Sequence, residues 1–187
     1  MRPAIFLDRD GVLIENRSEY VRDLRDVEFL PGTFEALRCA VSLPHEFAFV
    51  IVSNQAGVGK GVITAEAAEA IQAFVVGEIA SHGGRIDRAY FCPHRADENC
   101  GCRKPRPGML LQAARELDID LAASWMIGDN ITDMQAGRAA GARCILVRTG
   151  LGAQQPPPDA SLSSSLSFTV VDDVYAAIQH IGAVSHA

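Results

Sequence analysis

Four short polar clusters carry residue types suited to catalysis: Asp8-Arg9-Asp10-Gly11, Ser53-Asn54-Gln55, Arg103-Lys104-Pro105 and Gly128-Asp129-Asn130. Asp8 and Asp10 stand two apart, so on an extended strand their carboxylates share a face. Carboxylates that close repel, which favours a divalent cation between them or a proton on one of them. With Asp129 they make a hard-oxygen set suited to Mg2+, an ion that commonly takes one or two carboxylates, waters and a substrate phosphate. An aspartate can also attack phosphorus and become an acyl phosphate while a neighbouring carboxyl moves the proton. The Lys104 ammonium and the Ser53 hydroxyl would then meet the phosphoryl oxygens, over which transition-state charge is spread.

None of these clusters is specific alone. D-x-D-G is most often a polar turn, and a calcium loop is excluded because its glycine belongs at loop position 6, whereas Gly11 stands at position 4. Gly128 to Asp133, G-D-x-x-x-D, commonly opens a helix, where acids suit the dipole. The glycines around Lys60 lack the G-x-x-x-x-G-K-[ST] spacing of a nucleotide loop. The weight lies in the order of the four clusters and in where the chain puts them.

A fifth cluster has a different chemistry. Of the five cysteines, Cys92, Cys100 and Cys102 fall close together with His94 in C-P-H-R-A-D-E-N-C-G-C. Three thiolates and an imidazole fill a tetrahedral zinc shell, which describes a closed, structural site over 92–102; the alternative is a cysteine-rich loop of free thiols. Cys39 and Cys144 fall in apolar patterns and read as small buried hydrophobes.

Short β-branched and aromatic runs at 4–7, 47–53, 88–91, 125–128 and 144–147 read as strands. They alternate with helical patterns at 31–42, 64–82, 107–117 and 132–140. Thr64 suits an N-cap, Pro107 a first helical position, and Gly83-Gly84 and Gly141 helix stops. Residues 150–167 read as an irregular excursion, followed by a strand at 168–171 and a helix at 172–181. This alternation predicts an α/β fold, a three-layer α/β/α parallel sheet covered on both faces. Such sheets bind ligands in the crevice beyond the C-terminal ends of their strands, which is where the polar clusters fall.

The 187 residues, 48% hydrophobic and 21% charged, suit one globular domain over 1–187. A net charge of −6 argues against nucleic acid or an anionic membrane held by bulk charge, so an anionic ligand must be met by local donors or a cation. The longest apolar run, 47–52, is far short of the roughly 20 residues of a membrane helix. No leader pattern precedes Asp8. A cytoplasmic monomer acting on a small phosphorylated metabolite is the simplest expectation.

F-L-D-R-D-G-V-L, V-S-N-Q, R-K-P-R-P-G-M and G-D-N-I-T-D-M together resemble the four motifs of the haloacid dehalogenase (HAD) superfamily of phosphatases. With C-P-H-x5-C-G-C they are similar to its branch acting on heptose 1,7-bisphosphate or histidinol phosphate, over about residues 4–150. The resemblance implies a HAD-like fold, Asp8 as nucleophile and Asp10 as acid/base, with Ser53 and Lys104 on the phosphoryl group. It implies Mg2+ on Asp8, the Asp10 carbonyl and Asp129, and zinc on Cys92, His94, Cys100 and Cys102. By the same analogy the sugar phosphate is read by Asn16, Arg17, Ser18, Glu19, Tyr20, Asn54, Gln55, Ala56, Arg103 and Asn130. Asn-Gln-Ala-Gly from Asn54 favours heptose bisphosphate, and the short zinc loop resembles the histidinol phosphate enzymes. Asn130 stands where the heptose enzymes usually carry Lys or Arg. The 45 residues from Asp8 to Ser53 and the 51 from Ser53 to Lys104 leave no length for a separate cap, so the flap 16–26 and the zinc loop are expected to wall the site. The rivals are a catalytically silent zinc-stabilised binding module, which would not require the acid set, and a nucleic-acid 3′-phosphatase, which the acidic balance disfavours.

Overall fold

The computed structural model describes residues 1–43, 46–155 and 167–185. Six strands, β1 (Ala4–Leu7), β2 (Ala48–Asn54), β3 (Arg88–Cys92), β4 (Trp125–Gly128), β5 (Arg143–Val147) and β6 (Thr169–Val171), form one sheet in the order β3-β2-β1-β4-β5-β6. Every pairing is parallel. The helices are α1 (Thr33–Ala40), the one-turn α2 (Ala56–Gly59), α3 (Ala65–Ser81), α4 (Gly108–Leu117), α5 (Ile131–Ala140) and α6 (Val174–Ser185).

The strands are apolar on both sides because both faces are covered. Ile5 and Leu7 enter one buried cluster with Phe49, Ile51, Ile71 and Ile178, while Ala4 and Phe6 enter the other with Val50, Met109, Leu110 and Met134. The two-residue alternation along β1 thus serves two cores, as a doubly covered parallel sheet demands. No helix among the described residues is long and apolar enough to cross a membrane.

The strands fall within a residue or so of their expected bounds. Thr64 caps α3, its side chain accepting from the Ala67 N–H, and Gly141 ends α5 in the left-handed conformation. Pro107 caps α4 from outside rather than opening it, since its ψ of 7° departs from the helical value. The last helix runs on to Ser185, beyond the expected 181. Of the excursion at 150–167, the beginning holds a 3-10 turn at Gly152–Gln154, and 156–166, with its prolines and serines, lie outside the described residues.

The chain runs outward from β1 through β2 to β3, then crosses back to add β4 on the other side of β1. The reversal puts a crevice at the carboxyl end of β1, flanked by β2 and β4. β1 and β4 run directly into Asp8 and Asp129, and β2 ends in Ser53-Asn54.

Candidate active site

A cavity of about 660 Å³ opens at this edge, and Asp8, Asp10, Ser53, Lys104 and Asp129 all line it. Lys104, 2% exposed, sits at its base with Nζ 3.0 Å from Asp8 Oδ1, 2.6 Å from Asp133 Oδ1 and 2.8 Å from the Val52 carbonyl oxygen. Burial alone would lower the Lys104 pKa, but the Asp133 and Asp8 carboxylates outweigh it and hold the ammonium firmly charged. Its backbone is tied to β2, the Asn54 side chain accepting from the Lys104 N–H at 3.0 Å and donating to the Lys104 carbonyl at 3.1 Å. A residue that follows a long loop is thereby fixed to a strand.

One lysine cannot satisfy the acids around it. Asp8, Asp129 and Asp133 each place a carboxylate oxygen within 4.8 Å of the others. Burial pushes the Asp8 pKa well above its usual range despite Lys104, with Asp133 and Asp129 adding to the rise. Burial also raises Asp129 to about 6, opposed by the Leu151 N–H that donates to Oδ2 at 2.8 Å. Excess negative charge among largely buried carboxylates is what a divalent cation relieves, so the oxygens of Asp8 and Asp129 fit Mg2+. Asp133 is taken up otherwise: it bonds Lys104 and accepts from the Asn130 N–H at 3.0 Å, closing a capping box at the start of α5.

Backbone shape makes room for Asp129. Gly11 has φ of +86°, and a Cβ there would lie 2.0 Å from Asp129 Oδ2; one on Gly150, φ +56°, would lie 2.2 Å from the same oxygen. Gly11→Ala is therefore expected to destabilise the fold by about 1–3 kcal/mol and to weaken Mg2+ dependence by displacing Asp129. Thermal melting and Mg2+ titration of activity check this, and an unaltered Mg2+ titration would contradict it.

Asp10 is held on both oxygens. The Arg9 guanidinium donates from Nε at 3.3 Å and from Nη2 at 3.1 Å to Oδ1, and from Nη2 at 3.0 Å to Oδ2. Gln55 Nε2 donates to Oδ2 at 2.6 Å, and Ser53 Oγ at 3.3 Å.

The expected reading residues divide. Asn16, Arg17, Ser18, Tyr20, Asn54, Gln55, Arg103 and Asn130 line the cavity. Glu19 and Ala56 do not: Glu19 turns outward to an ion pair with Arg22 at 2.6 Å, and Ala56 is buried at the start of α2. Several lining side chains already have duties within the chain. Asn54 clamps Lys104, Gln55 holds Asp10, and Asn130 Oδ1 caps α5 by accepting from the Thr132 N–H at 3.1 Å. Tyr20 adopts φ of +67°, and its ring lies over Gly57, where a Cβ would stand 3.1 Å from it. The flap thus walls the cavity, whereas none of residues 92–102 lines it; the cysteine loop contributes through Arg103 and Lys104, which follow it directly.

Asp133 and Arg9 were not among the expected site residues. G-D-x-x-x-D was the signal for Asp133, which reads equally well as a helix start; nothing marked Arg9 as buried.

The cysteine cluster forms at the end of β3. Cys102 Sγ lies 3.2 Å from Cys92 Sγ, 3.5 Å from Cys100 Sγ and 3.3 Å from His94 Nδ1. These separations are too long for disulfides and near the roughly 3.8 Å edges of a tetrahedron with zinc–sulfur bonds of about 2.3 Å. Although burial pushes Cys100 up, N–H and thiol donors bring it down to about 7, which eases formation of a thiolate ligand. Burial and hydrogen bonding to Cys102 push Cys92 the other way, a penalty that a metal ion would remove. The Arg106 guanidinium braces the loop by donating to the Asn99 and Cys100 carbonyl oxygens. A zinc ion bound by this cluster would be lost in Cys92→Ser, which is then expected to melt roughly 5–10 °C lower than the parent, by elemental analysis and calorimetry.

The HAD-hydrolase-like family model matches residues 101–177. The D-glycero-beta-D-manno-heptose-1,7-bisphosphate 7-phosphatase of Yersinia pestis is 44% identical over 156 residues, covering 79% of this chain and 81% of that one. The protein of the same name from Vibrio cholerae is 38% identical over 181 residues, 92% of each chain. Among solved structures, the D,D-heptose 1,7-bisphosphate phosphatase of B. bronchiseptica, complexed with magnesium and phosphate, superposes with a TM-score of 0.87 at 31% identity, covering 99% of both chains. With the parallel sheet, the acids at its switch point and these relatives in view, the chain belongs to the HAD family of hydrolases, among its phosphatases.

Proposed function

We propose that this phosphatase uses Mg2+ to remove the 7-phosphate of D-glycero-D-manno-heptose 1,7-bisphosphate through an aspartyl phosphate on Asp8. The observation that carries the reading is the setting of Asp8 at the end of β1, where Lys104 Nζ at 3.0 Å and the Arg9 N–H at 2.7 Å bind its Oδ1 beside an open cavity. Its carboxylate attacks phosphorus, and the Ser53 hydroxyl and Lys104 ammonium receive the phosphoryl oxygens as charge spreads over them. Asp10 gives a proton to the departing sugar oxygen, then takes one from the water that attacks phosphorus and frees Asp8. Asp8, Asp129 and the Asp10 carbonyl would hold Mg2+, which when bound would supply positive charge to the phosphoryl oxygens.

The names of the relatives and the polar, half-open cavity support a small sugar phosphate, with Asn16, Arg17, Ser18, Tyr20 and Arg103 as the side chains that face it. Cys92, His94, Cys100 and Cys102 would hold zinc, which when bound would fix the loop that leads to Lys104. The reading takes residues 1–187 as one catalytic domain working as a cytoplasmic monomer, with the flap standing in for a separate cap.

A phosphate-release panel with Mg2+ tests it, comparing both anomers of heptose 1,7-bisphosphate, histidinol phosphate, simple hexose phosphates and a 3′-phosphorylated oligonucleotide. The expected result is a kcat/KM for one heptose anomer at least about 10²-fold above all non-heptose substrates. Preference for histidinol phosphate would overturn the substrate, and release from none would overturn the activity.

A further inference from the structure

The Arg9 side chain has no part in the chemistry above, yet Arg9 is 1% exposed and among the largest wholly buried side chains. A buried guanidinium carries a heavy desolvation penalty and persists only with partners. Its ion-pair partner is Asp10, the next residue along the chain. Nη1 has no hydrogen-bond partner among the described residues. A pair between adjacent residues joins no distant elements, so tying the fold together does not account for it. What the pair does fix is the Asp10 carboxylate, whose side chain is 21% exposed and faces the cavity.

The remaining donors come from the end of β2. Gln55, 3% exposed, donates from Nε2 to both Asp10 Oδ2 at 2.6 Å and Ser53 Oγ at 2.7 Å. The Gln55 backbone is itself anchored, its N–H donating to the Cys92 carbonyl at 2.8 Å. Arg9 thus grips both carboxylate oxygens from the turn after β1, while Gln55 reaches Oδ2 from the residue that follows β2.

We propose that Arg9 is a positioning residue for the proton transfers of Asp10, with Gln55 as the second half of the clamp. The proposal rests on Asp10 being the acid/base. An acid held in one orientation before the ester arrives meets the leaving oxygen without reorganising, and a carboxyl free to rotate does not. Gln55, expected from its motif to read the sugar, acts on this reading through Asp10.

The test exploits the leaving group. An alkyl phosphate needs the proton from Asp10 as its C–O oxygen departs, whereas the nitrophenolate of p-nitrophenyl phosphate departs without one. Arg9→Met, Arg9→Lys, Gln55→Met and Asp10→Asn are compared with the parent on a sugar phosphate at steady state and on the nitrophenyl ester in the pre-steady-state burst. For Arg9→Met, kcat on the sugar phosphate is expected to fall on the order of 10²-fold, with KM and the burst rate within about threefold of the parent. Arg9→Lys, which keeps the charge and loses the fork, should fall between, and Gln55→Met should show the same selectivity at about tenfold.

Equal losses on both esters, or no loss on either, would overturn the positioning role. If Arg9→Met fails to fold, Arg9→Lys and Gln55→Met decide by the same selectivity. If Asp10→Asn discriminates between the esters and the clamp variants do not, the proposal falls and the acid assignment stands. If Asp10→Asn itself fails to discriminate, both fall.

Discussion

Replacing Asp8 with asparagine is expected to lower phosphate release by about 10⁴-fold or more while the protein stays folded. An amide has no anionic oxygen to attack phosphorus, and the Lys104 and Ser53 donors then act on an ester without a nucleophile. The same change should leave the metal-free protein as stable as the parent or more so. Asp8 lies among Asp129 and Asp133, and burial raises its pKa. A carboxyl whose pKa is raised on folding binds its proton more tightly in the folded state, so ionising it costs stability once the pH passes its unfolded value. Metal-free stability should accordingly decline as the pH rises from about 4 toward neutrality, and Asp8→Asn should flatten that decline. Steady-state kinetics and thermal melting across pH check both halves. Appreciable turnover by the variant, or a melting point far below the parent's, would contradict the reading.

The second large effect belongs to Lys104. Lys104→Met leaves Asp8 and Asp133 facing each other without the ammonium that now lies 3.0 and 2.6 Å from them. Removing one partner of a buried charge cluster typically costs about 3–5 kcal/mol, which for a chain of this size is a fall in melting temperature of roughly 6–20 °C. On the proposed mechanism turnover should fall by about 10²–10³-fold, because the positive charge beside the phosphoryl group is lost. Mg2+ should restore part of the lost stability, since a dication can replace some of the missing positive charge, and calorimetry with and without Mg2+ reads this. A variant that melts like the parent would show that Lys104 does not hold the acid cluster together.

The two effects differ in kind. Asp8 is a group whose chemistry works against the folded state, and Lys104 is one whose chemistry and fold requirement coincide. Among the described residues, the metal-free cluster sets one lysine against three carboxylates.

The parallel sheet was legible because β1, β2, β4 and β5 are short apolar runs with helices between them, and strands buried on both faces leave that mark. Asp8, Ser53 and Asp129 were legible as site residues for a related reason: each follows such a run directly, and strand ends at a switch point converge. Lys104 needed its motif, since it follows a long loop and reaches the site through the Asn54 clamp, a pairing across 50 residues that no local pattern encodes. The burial of Arg9 was hidden because an arginine between two aspartates reads as a solvated turn. Glu19 and Ala56 were expected at the cavity on the strength of their neighbours, but side-chain direction within a loop depends on backbone turns that spacing does not reveal. Tyr20, with its left-handed backbone, shows how sharply this loop bends.

The central claim is that phosphate passes through Asp8. Turnover of heptose 1,7-bisphosphate stopped by acid, followed by borohydride reduction and peptide mass spectrometry, reads it directly. Reduction of an acyl phosphate leaves homoserine, expected at position 8 and absent when substrate is omitted. Homoserine at another aspartate, or none from an enzyme caught while turning over, would contradict the account.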